Sequence, residues 1–228
     1  MLDASKIKIS QIPRSLAIPF VKYKHYAKRV PAMSYIYGLY YDETLSGVCI
    51  FGSPANRSNN EIGGKKAIEL VRLFVDDNVS SNKNITSFFL GACLRMLPKK
   101  LAIVSYADCH NNHAGYIYQA TNWFYCGQGQ RKNGRFDSGV TSFVRNEDGK
   151  KFHARSFGMK FGKCTAENAH INGFTRIFNK PKHKYIYYTG KGKDKIRFFA
   201  NLGLVSQPYP KSENIRYEVS TNDLEQYN

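Results

Sequence analysis

The sequence predicts an α/β protein built on a mixed, partly parallel sheet flanked by helices. Three observations carry this prediction. Strand-type apolar runs alternate with runs of helical spacing; the helical run ITSFFLGACLRML lies between two strand-type segments, 67–75 and 101–106; and a helical crossover of that kind makes the strands it joins parallel neighbours. The order along the chain is helix, hairpin, strand, helix, strand, helix, strands, with no internal repeat.

Each element has a local reason. Ile18 to Arg29 reads as a short helix that Pro31 terminates. SYIYGLYYDETLSGVCIFGSP holds two runs rich in β-formers around a turn-like DETLSG, which predicts an antiparallel hairpin of about Tyr35–Tyr41 and Gly47–Phe51. NRSNNEIGGKK has loop composition, and AIELVRLFV follows as a strand. Beyond the polar stretch DDNVSSNKN, residues Ile85, Phe88, Phe89, Ala92 and Leu97 recur at helical spacing, with Ser81, Asn82 and Asn84 as capping candidates and Pro98 as the stop. LAIVSYAD is a buried-type strand and HAGYIYQATNW a second helix. VTSFVRNEDGKKFHARSF predicts a hairpin turning on Glu147-Asp148-Gly149; KYIYYTG reads as a strand and DKIRFFANL as a small helix before an irregular tail.

Composition narrows the function. The 228 residues include 42% hydrophobic and 14% aromatic side chains, enough to build a buried core rather than a disordered chain. The longest apolar stretches, such as Leu101 to Val104, fall far short of the roughly 20 residues that span a bilayer, and MLDASKIKISQIP has no apolar leader core. No membrane association and no export are expected. Five widely spaced cysteines without a CxxC pair suit reduced thiols in a cytoplasm. Lys+Arg number 34 against 17 Asp+Glu, a formal charge of +17 that points to a polyanionic partner. Residues 131–197 hold 17 Lys+Arg against 5 Asp+Glu, net +12, and the charges of this C-terminal half are interleaved with Phe152, Phe157, Phe161, Tyr185, Tyr187, Tyr188, Phe198 and Phe199. Such interleaving suits phosphate contacts beside base stacking, or equally an aromatic core beneath a solvated face.

Residues 67–125, a strand ending in VDD, a polar cap leading into a helix, strand LAIVSYAD and helix IYQATNW, look like the acetyl-CoA core of the GNAT acyltransferase fold. More specifically, KHYAKR (24–29), ELVRLFVDD (69–77), VSYAD (104–108), IYQATNW (117–123), FHARS (152–156) and PKHKY (181–185) resemble, in the same order, the phage Mom family. That resemblance spans roughly 20–210. It implies one GNAT-like domain over 1–228, with a core of about 18–160 and a basic DNA-contact region of about 131–210. It also implies a transferase that adds a methylcarbamoyl (carbamoylmethyl) group to adenine N6 in double-stranded phage DNA and so protects it from restriction. The family's product joins nitrogen to a methylene beside an amide, a bond that simple acyl transfer does not make. Acetyl-CoA or another acyl donor, a glycine-derived donor, or a redox step at an iron held by His25 and neighbouring groups are the alternatives this raises.

The resemblance assigns roles residue by residue. Tyr118 matches the GNAT tyrosine that protonates a leaving thiolate. His25 and Tyr26 match a family His-Tyr step, with His25 as a metal ligand or orienting group, or else an ordinary surface histidine. Lys83, Asn84, Ile85 and Thr86 stand where a GNAT protein holds the CoA pyrophosphate, although SSNKNITS lacks the usual glycines and relies on helix N-terminal amides and Lys83. Arg72, a charge inside an apolar strand, must meet an anionic partner or reach a pocket. Asp108 ends a strand at the edge where α/β sheets bind ligands, or caps the next helix. Ser105 is a substrate contact or a buried serine, and Trp123 a core anchor. Cys109, His110 and His113 form a CHxxH cluster with metal-ligating residue types. His153, Arg155, Lys182, His183, Lys184 and Tyr185 are expected to contact DNA. A GNAT acetyltransferase of a protein or small amine, and a non-catalytic nucleic-acid-binding protein, are the rival readings.

Overall fold

A computed structural model describes residues 4–25, 29–108, 113–128, 141–178 and 182–211. The strands are β1 (Ile7–Gln11), β2 (Tyr35–Tyr41), β3 (Thr44–Gly52), β4 (Glu61–Ile62), β5 (Lys65–Val75), β6 (Ala102–Asp108), β7 (Phe124–Gln128), β8 (Thr141–Arg145), β9 (Lys151–His153), β10 (Phe174–Phe178) and β11 (Lys182–Tyr188). The helices are α1 (Arg14–Pro19), α2 (Asp77–Ser80), α3 (Ile85–Met96), α4 (Tyr116–Ala120), α5 (Ala154–Phe161), α6 (Ala166–Ile171) and α7 (Gly192–Asn201). The large sheet has the order β1-β2-β3-β5-β6-β11-β7, with β4 paired to β5; a second sheet has the order β10-β8-β9. Every pairing in the large sheet is antiparallel except β5 with β6, so the expected parallel pair is present at its centre.

The β2–β3 hairpin closes more tightly than its sequence suggests. Asp42 and Glu43 take φ of 45° and 62°, the two left-handed positions of a type I′ turn, so β3 begins at Thr44 rather than Gly47. In α3 the buried stripe is Ile85, Phe89, Leu90, Cys93 and Leu94, which leaves Phe88 on the outer surface. Leu97 turns extended ahead of Pro98, as a residue before proline prefers.

The first helix differs from expectation. It starts at Arg14, and after Pro19 the chain runs on as a π-turn, Phe20–Lys24, closed by the His25 N–H donating to the Phe20 carbonyl at 2.8 Å. Proline cannot donate a helical N–H, and the wider turn absorbs that gap. α4 is one short turn rather than a helix over 113–123, because Gly115 at its start and Asn122 beyond its end have φ of 78° and 58°. The chain then enters β7 instead of continuing as helix.

α3 and α4 cover one face of the large sheet, over a core that includes Phe51, Phe89, Ile103, Trp123 and Tyr185. The other face carries two clusters, one beneath α1 and the π-turn with Val48 and Ile50, one beneath α7 with Val104, Tyr188 and Phe198. Between β7 and β11 the chain inserts the small sheet with α5 and α6, whose core is Phe143, Phe157, Ala169 and Phe174. The expected hairpin is β8–β9, but the strand ends at His153 and ARSF continues as α5. Phe157, Tyr185, Tyr188 and Phe198 are all buried, so these aromatics of the basic half are core. Among the described residues no helix is long and apolar enough to cross a membrane.

Candidate active site in a split sheet

β5 and β6 pair only at Ala67↔Ala102, Ile68↔Ile103 and Glu69↔Val104; beyond that their C-terminal halves carry no ladder between them. The cause lies on the other side of β5. Ile50 of β3 faces Arg72 while the next residue, Phe51, faces Leu70, so Val71 is the extra residue of a β-bulge. A bulge bends and twists the strand that bears it, and here it turns β5 away from β6. At the apex Ser105, 1% exposed, donates to the Leu70 carbonyl at 3.2 Å, replacing a missing ladder bond by a side-chain one. The same Ser105 Oγ lies 2.8 Å from the Tyr118 hydroxyl.

Tyr118 is held on both sides. Its ring lies 5.1 Å from that of Trp123 and 4.9 Å from that of Tyr185. Behind it, Tyr185 donates to the Ala114 carbonyl, and Gln119 Nε2 donates to the same carbonyl at 3.1 Å. The Tyr125 hydroxyl and His183 Nδ1 meet at 2.6 Å further along the same face. Gly115 permits this packing, since a Cβ there would stand 2.5 Å from the Tyr185 ring. The crossover from β5 places the N-terminus of α3 at the open end of the split. There Asn84 adopts φ 68°, a left-handed conformation that asparagine tolerates in the absence of glycine. Lys83 and Asn84 are exposed and Thr86 half-buried; Ile85 is a core residue and offers the site only its backbone.

The opposite face of the split carries a different set. Ile50 lies in the cluster beneath α1, so Arg72 across from it shares that face; Asp108 follows Ala102, Val104 and Tyr106 on the same face by strand alternation. Arg72 donates to the carbonyls of Val71 at 2.6 Å and Arg29 at 2.9 Å, which pins the bulge and the segment after the π-turn. His25 is buried beside it, and burial followed by the Arg72 charge lowers its pKa from 6.5 to about 4. Lys182 Nζ lies 3.6 Å from Asp108 Oδ2. His153 caps α5, its Nδ1 accepting from the Arg155 N–H at 3.2 Å. Desolvation, then the charges of Arg155, Arg29 and Lys182, lower the His153 pKa.

The expected site residues thus fall into two groups that meet through the split: Ser105 and Tyr118 on the α3 side, Arg72, Asp108 and His25 on the other. Asp108 does not cap α4, whose N-cap is Gly115. Tyr185 and His183, expected at DNA, face the core instead, since alternation puts them on the inner side of β11. Lys184 lies half-buried and donates to Asn59 Oδ1 at 3.3 Å. The iron expectation at His25 gains no support: its neighbour is a guanidinium rather than further ligands, and among the described residues no three His, Cys, Asp or Glu are grouped to hold a metal. Tyr26, Cys109 and His110 lie outside the described residues. Sequence reasoning gave no role to Arg29, the last residue of KHYAKR, and missed the bulge at Val71, which shows only once the register is known.

The chain is similar to the methylcarbamoylase mom of Escherichia phage Mu, with 24% identity over 216 residues that cover 91% of this chain and 85% of that protein. Among solved structures it aligns with Naa50 of Arabidopsis thaliana at 9% identity and a TM-score of 0.44, over 80% of this chain and 98% of the other. It also aligns with an N-acetyltransferase of Staphylococcus aureus Mu50 at 14% identity and a TM-score of 0.42, again over 80% and 98%. The model of the Mom protein family matches residues 6–211, a span that takes in both sheets and all of α1 to α7, and the chain belongs to that family.

Proposed function

We propose that the protein is a DNA-modifying transferase that places a methylcarbamoyl (carbamoylmethyl) group on adenine N6 of phage DNA, protecting it from restriction in the cytoplasm of an infected or prophage-carrying bacterium. The observation that carries this reading is the Ser105–Tyr118 pair at the apex of a split sheet, inside a chain that matches the Mom family along most of its length. The methylcarbamoylase mom of phage Mu supports the group transferred, and the charge of +17 supports the polyanionic substrate.

Adenine N6 is paired and stacked in a duplex, so the base must leave the stack to reach any pocket. The two faces of the split suit two reactants. On the α3 side, the gap between β5 and β6 leads from the α3 N-terminus to Tyr118, a route that fits an extended donor with an anionic end such as an acyl-CoA. An N6-to-methylene bond needs a donor that would carry its leaving group on that methylene carbon, and N6 gives up one proton as the leaving group departs. Tyr118 is placed to give a proton to the leaving group, and Ser105 sets the direction of the Tyr118 hydroxyl. On the other side Asp108 is placed to accept a hydrogen bond from the exocyclic amine and orient it. The new bond of this product runs from nitrogen to a methylene, so the electrophilic carbon differs from the carbonyl carbon of ordinary acetyl transfer.

Mass spectrometry of nucleosides from cells expressing the protein tests this. A modified deoxyadenosine is expected, and both Tyr118→Phe and Asp108→Ala lose it while keeping DNA binding. Unmodified deoxyadenosine alone, with the protein present and folded, would overturn the proposal.

A further inference from the structure

Three cationic side chains and a histidine, from three separate parts of the chain, gather beside the open end of the split. Arg29 follows the π-turn, His153 ends β9, Arg155 opens α5 and Lys182 opens β11. Three contacts place them: the Arg29 carbonyl accepts from Arg72 at the bulge, Lys182 pairs with Asp108 at the end of β6 on the same face, and His153 accepts the Arg155 N–H; the charges of Arg155, Arg29 and Lys182 in turn lower the His153 pKa. Like charges gathered from distant segments repel, and folding bears that cost where an anion relieves it. The ion pair within the group is Lys182 with Asp108, at a loose 3.6 Å. Among the described residues neither Arg29 nor Arg155 has an acidic partner, and both are exposed.

The histidine has a defined orientation. Its Nδ1 lone pair is taken by the Arg155 N–H, which leaves the proton of the neutral ring on Nε2 as a donor for an acceptor oxygen. α5 then extends the surface. Phe157 and Phe161 pack into the core of the small sheet, while Arg155, Ser156, Met159, Lys160 and, just beyond, Lys163 face solvent with no acid in the helix. Arg155 with Met159 and Ser156 with Lys160 are i,i+4 neighbours, so the outer face carries Arg155 and Lys160 with no acid between them. Met159 is 85% exposed within it, a bare apolar side chain among groups that suit phosphates.

We propose that Arg29, His153, Arg155 and Lys182 form the seat for the backbone phosphates flanking the extruded nucleotide, and that the outer face of α5 carries the adjoining duplex. The inference rests on the proposed DNA substrate. It adds that the strand is held by the inserted small sheet and the π-turn segment, on the face of the large sheet opposite α3.

Binding of a fluorescent DNA duplex by the full-length protein, without any group donor, tests it across a salt series. Removing one cation from a phosphate reduces the slope of log Kobs against log[salt] by about 0.9, which amounts to about fivefold in affinity near 0.15 M salt. Arg155→Ala and Arg29→Ala should each weaken binding by about that much, Arg155→Lys should keep the slope, and Lys8→Ala, on the outermost strand at the far edge of the sheet, should keep both slope and affinity. Unchanged slopes in the two alanine variants, or an equal weakening in Lys8→Ala, would overturn the seat while leaving the DNA reading intact. Failure of the wild-type protein to bind duplex at all would overturn both, and the nucleoside assay then shows separately whether adenine is modified.

Discussion

Replacing Ser105 by alanine removes the hydroxyl that bridges the two strands of the split. Two hydrogen bonds are at stake, to the Leu70 carbonyl at 3.2 Å and to the Tyr118 hydroxyl at 2.8 Å, at a position 1% exposed. Each buried bond contributes about 1 kcal/mol net, and Leu70, itself buried, keeps a carbonyl that water reaches poorly. The sum is about 2 kcal/mol of stability, or about 4–8 °C in Tm for a protein of this size. Tyr118→Phe keeps both ring contacts and loses one hydroxyl, so it should cost about 1 kcal/mol or less. The two variants therefore separate structure from chemistry. Both should abolish the modified nucleoside, but Ser105→Ala should lower Tm about twice as far as Tyr118→Phe in differential scanning calorimetry. A Ser105→Ala protein that melts within about 1 °C of wild type would refute the bridge. So would a Tyr118→Phe protein that loses as much stability as Ser105→Ala, because Tyr118 would then be a structural residue.

Three further predictions follow from the same geometry. His25 folds in its neutral form, with a pKa lowered to about 4, so its contribution is whole above about pH 6.5 and is lost as pH falls toward 4; the drop amounts to about 3 kcal/mol, and His25→Asn should flatten that part of the urea-midpoint profile between pH 7 and 4. Gly115→Ala forces a Cβ onto a φ of 78° and against Tyr185, which should cost about 1–2 kcal/mol from the backbone alone and abolish modification by displacing Tyr118, as read by thermal melts and nucleoside analysis. Lys24→Ala, by contrast, breaks a partly exposed 2.8 Å pair with Asp76 and should change stability by less than about 1 kcal/mol in urea unfolding.

What the sequence made legible was the core of the large sheet. Strands β2, β3, β5, β6 and β11 and helices α3 and α7 declare themselves through β-rich runs or helical spacing, and the crossover between 75 and 101 forces the parallel pair. The small sheet was half legible. Its hairpin turn at Glu147-Asp148-Gly149 is marked by composition, but α5 and β10 are short, and their apolar residues serve a local aromatic core rather than a long periodic face. β1 and β7 are five residues each, and their membership of the sheet depends on partners distant in sequence. The site shows the same division. Tyr118 and Ser105 were found one at a time, yet their contact follows from a bulge in the neighbouring strand β5. Arg72 was expected to meet an anion or a pocket; its guanidinium instead binds two backbone carbonyls, which no residue pattern announces. Tyr185 and Lys182 share one short motif, and only strand alternation sends the first inward and the second to solvent.

The strand order of the large sheet also bears on how the protein is made. β7 has β11 as its neighbour, and β11 also pairs with β6, yet the whole small sheet is synthesised between β7 and β11. While that insert emerges from the ribosome, the edge of β6 and the aromatic side chains of β7 wait for a strand still being translated. An exposed strand edge beside exposed aromatics is the state from which chains associate wrongly. A nascent chain arrested before Lys182 should therefore be bound by chaperones and cut readily by protease near Trp123, whereas a chain extended on a C-terminal linker until β11 and α7 both clear the exit tunnel should give a protected core.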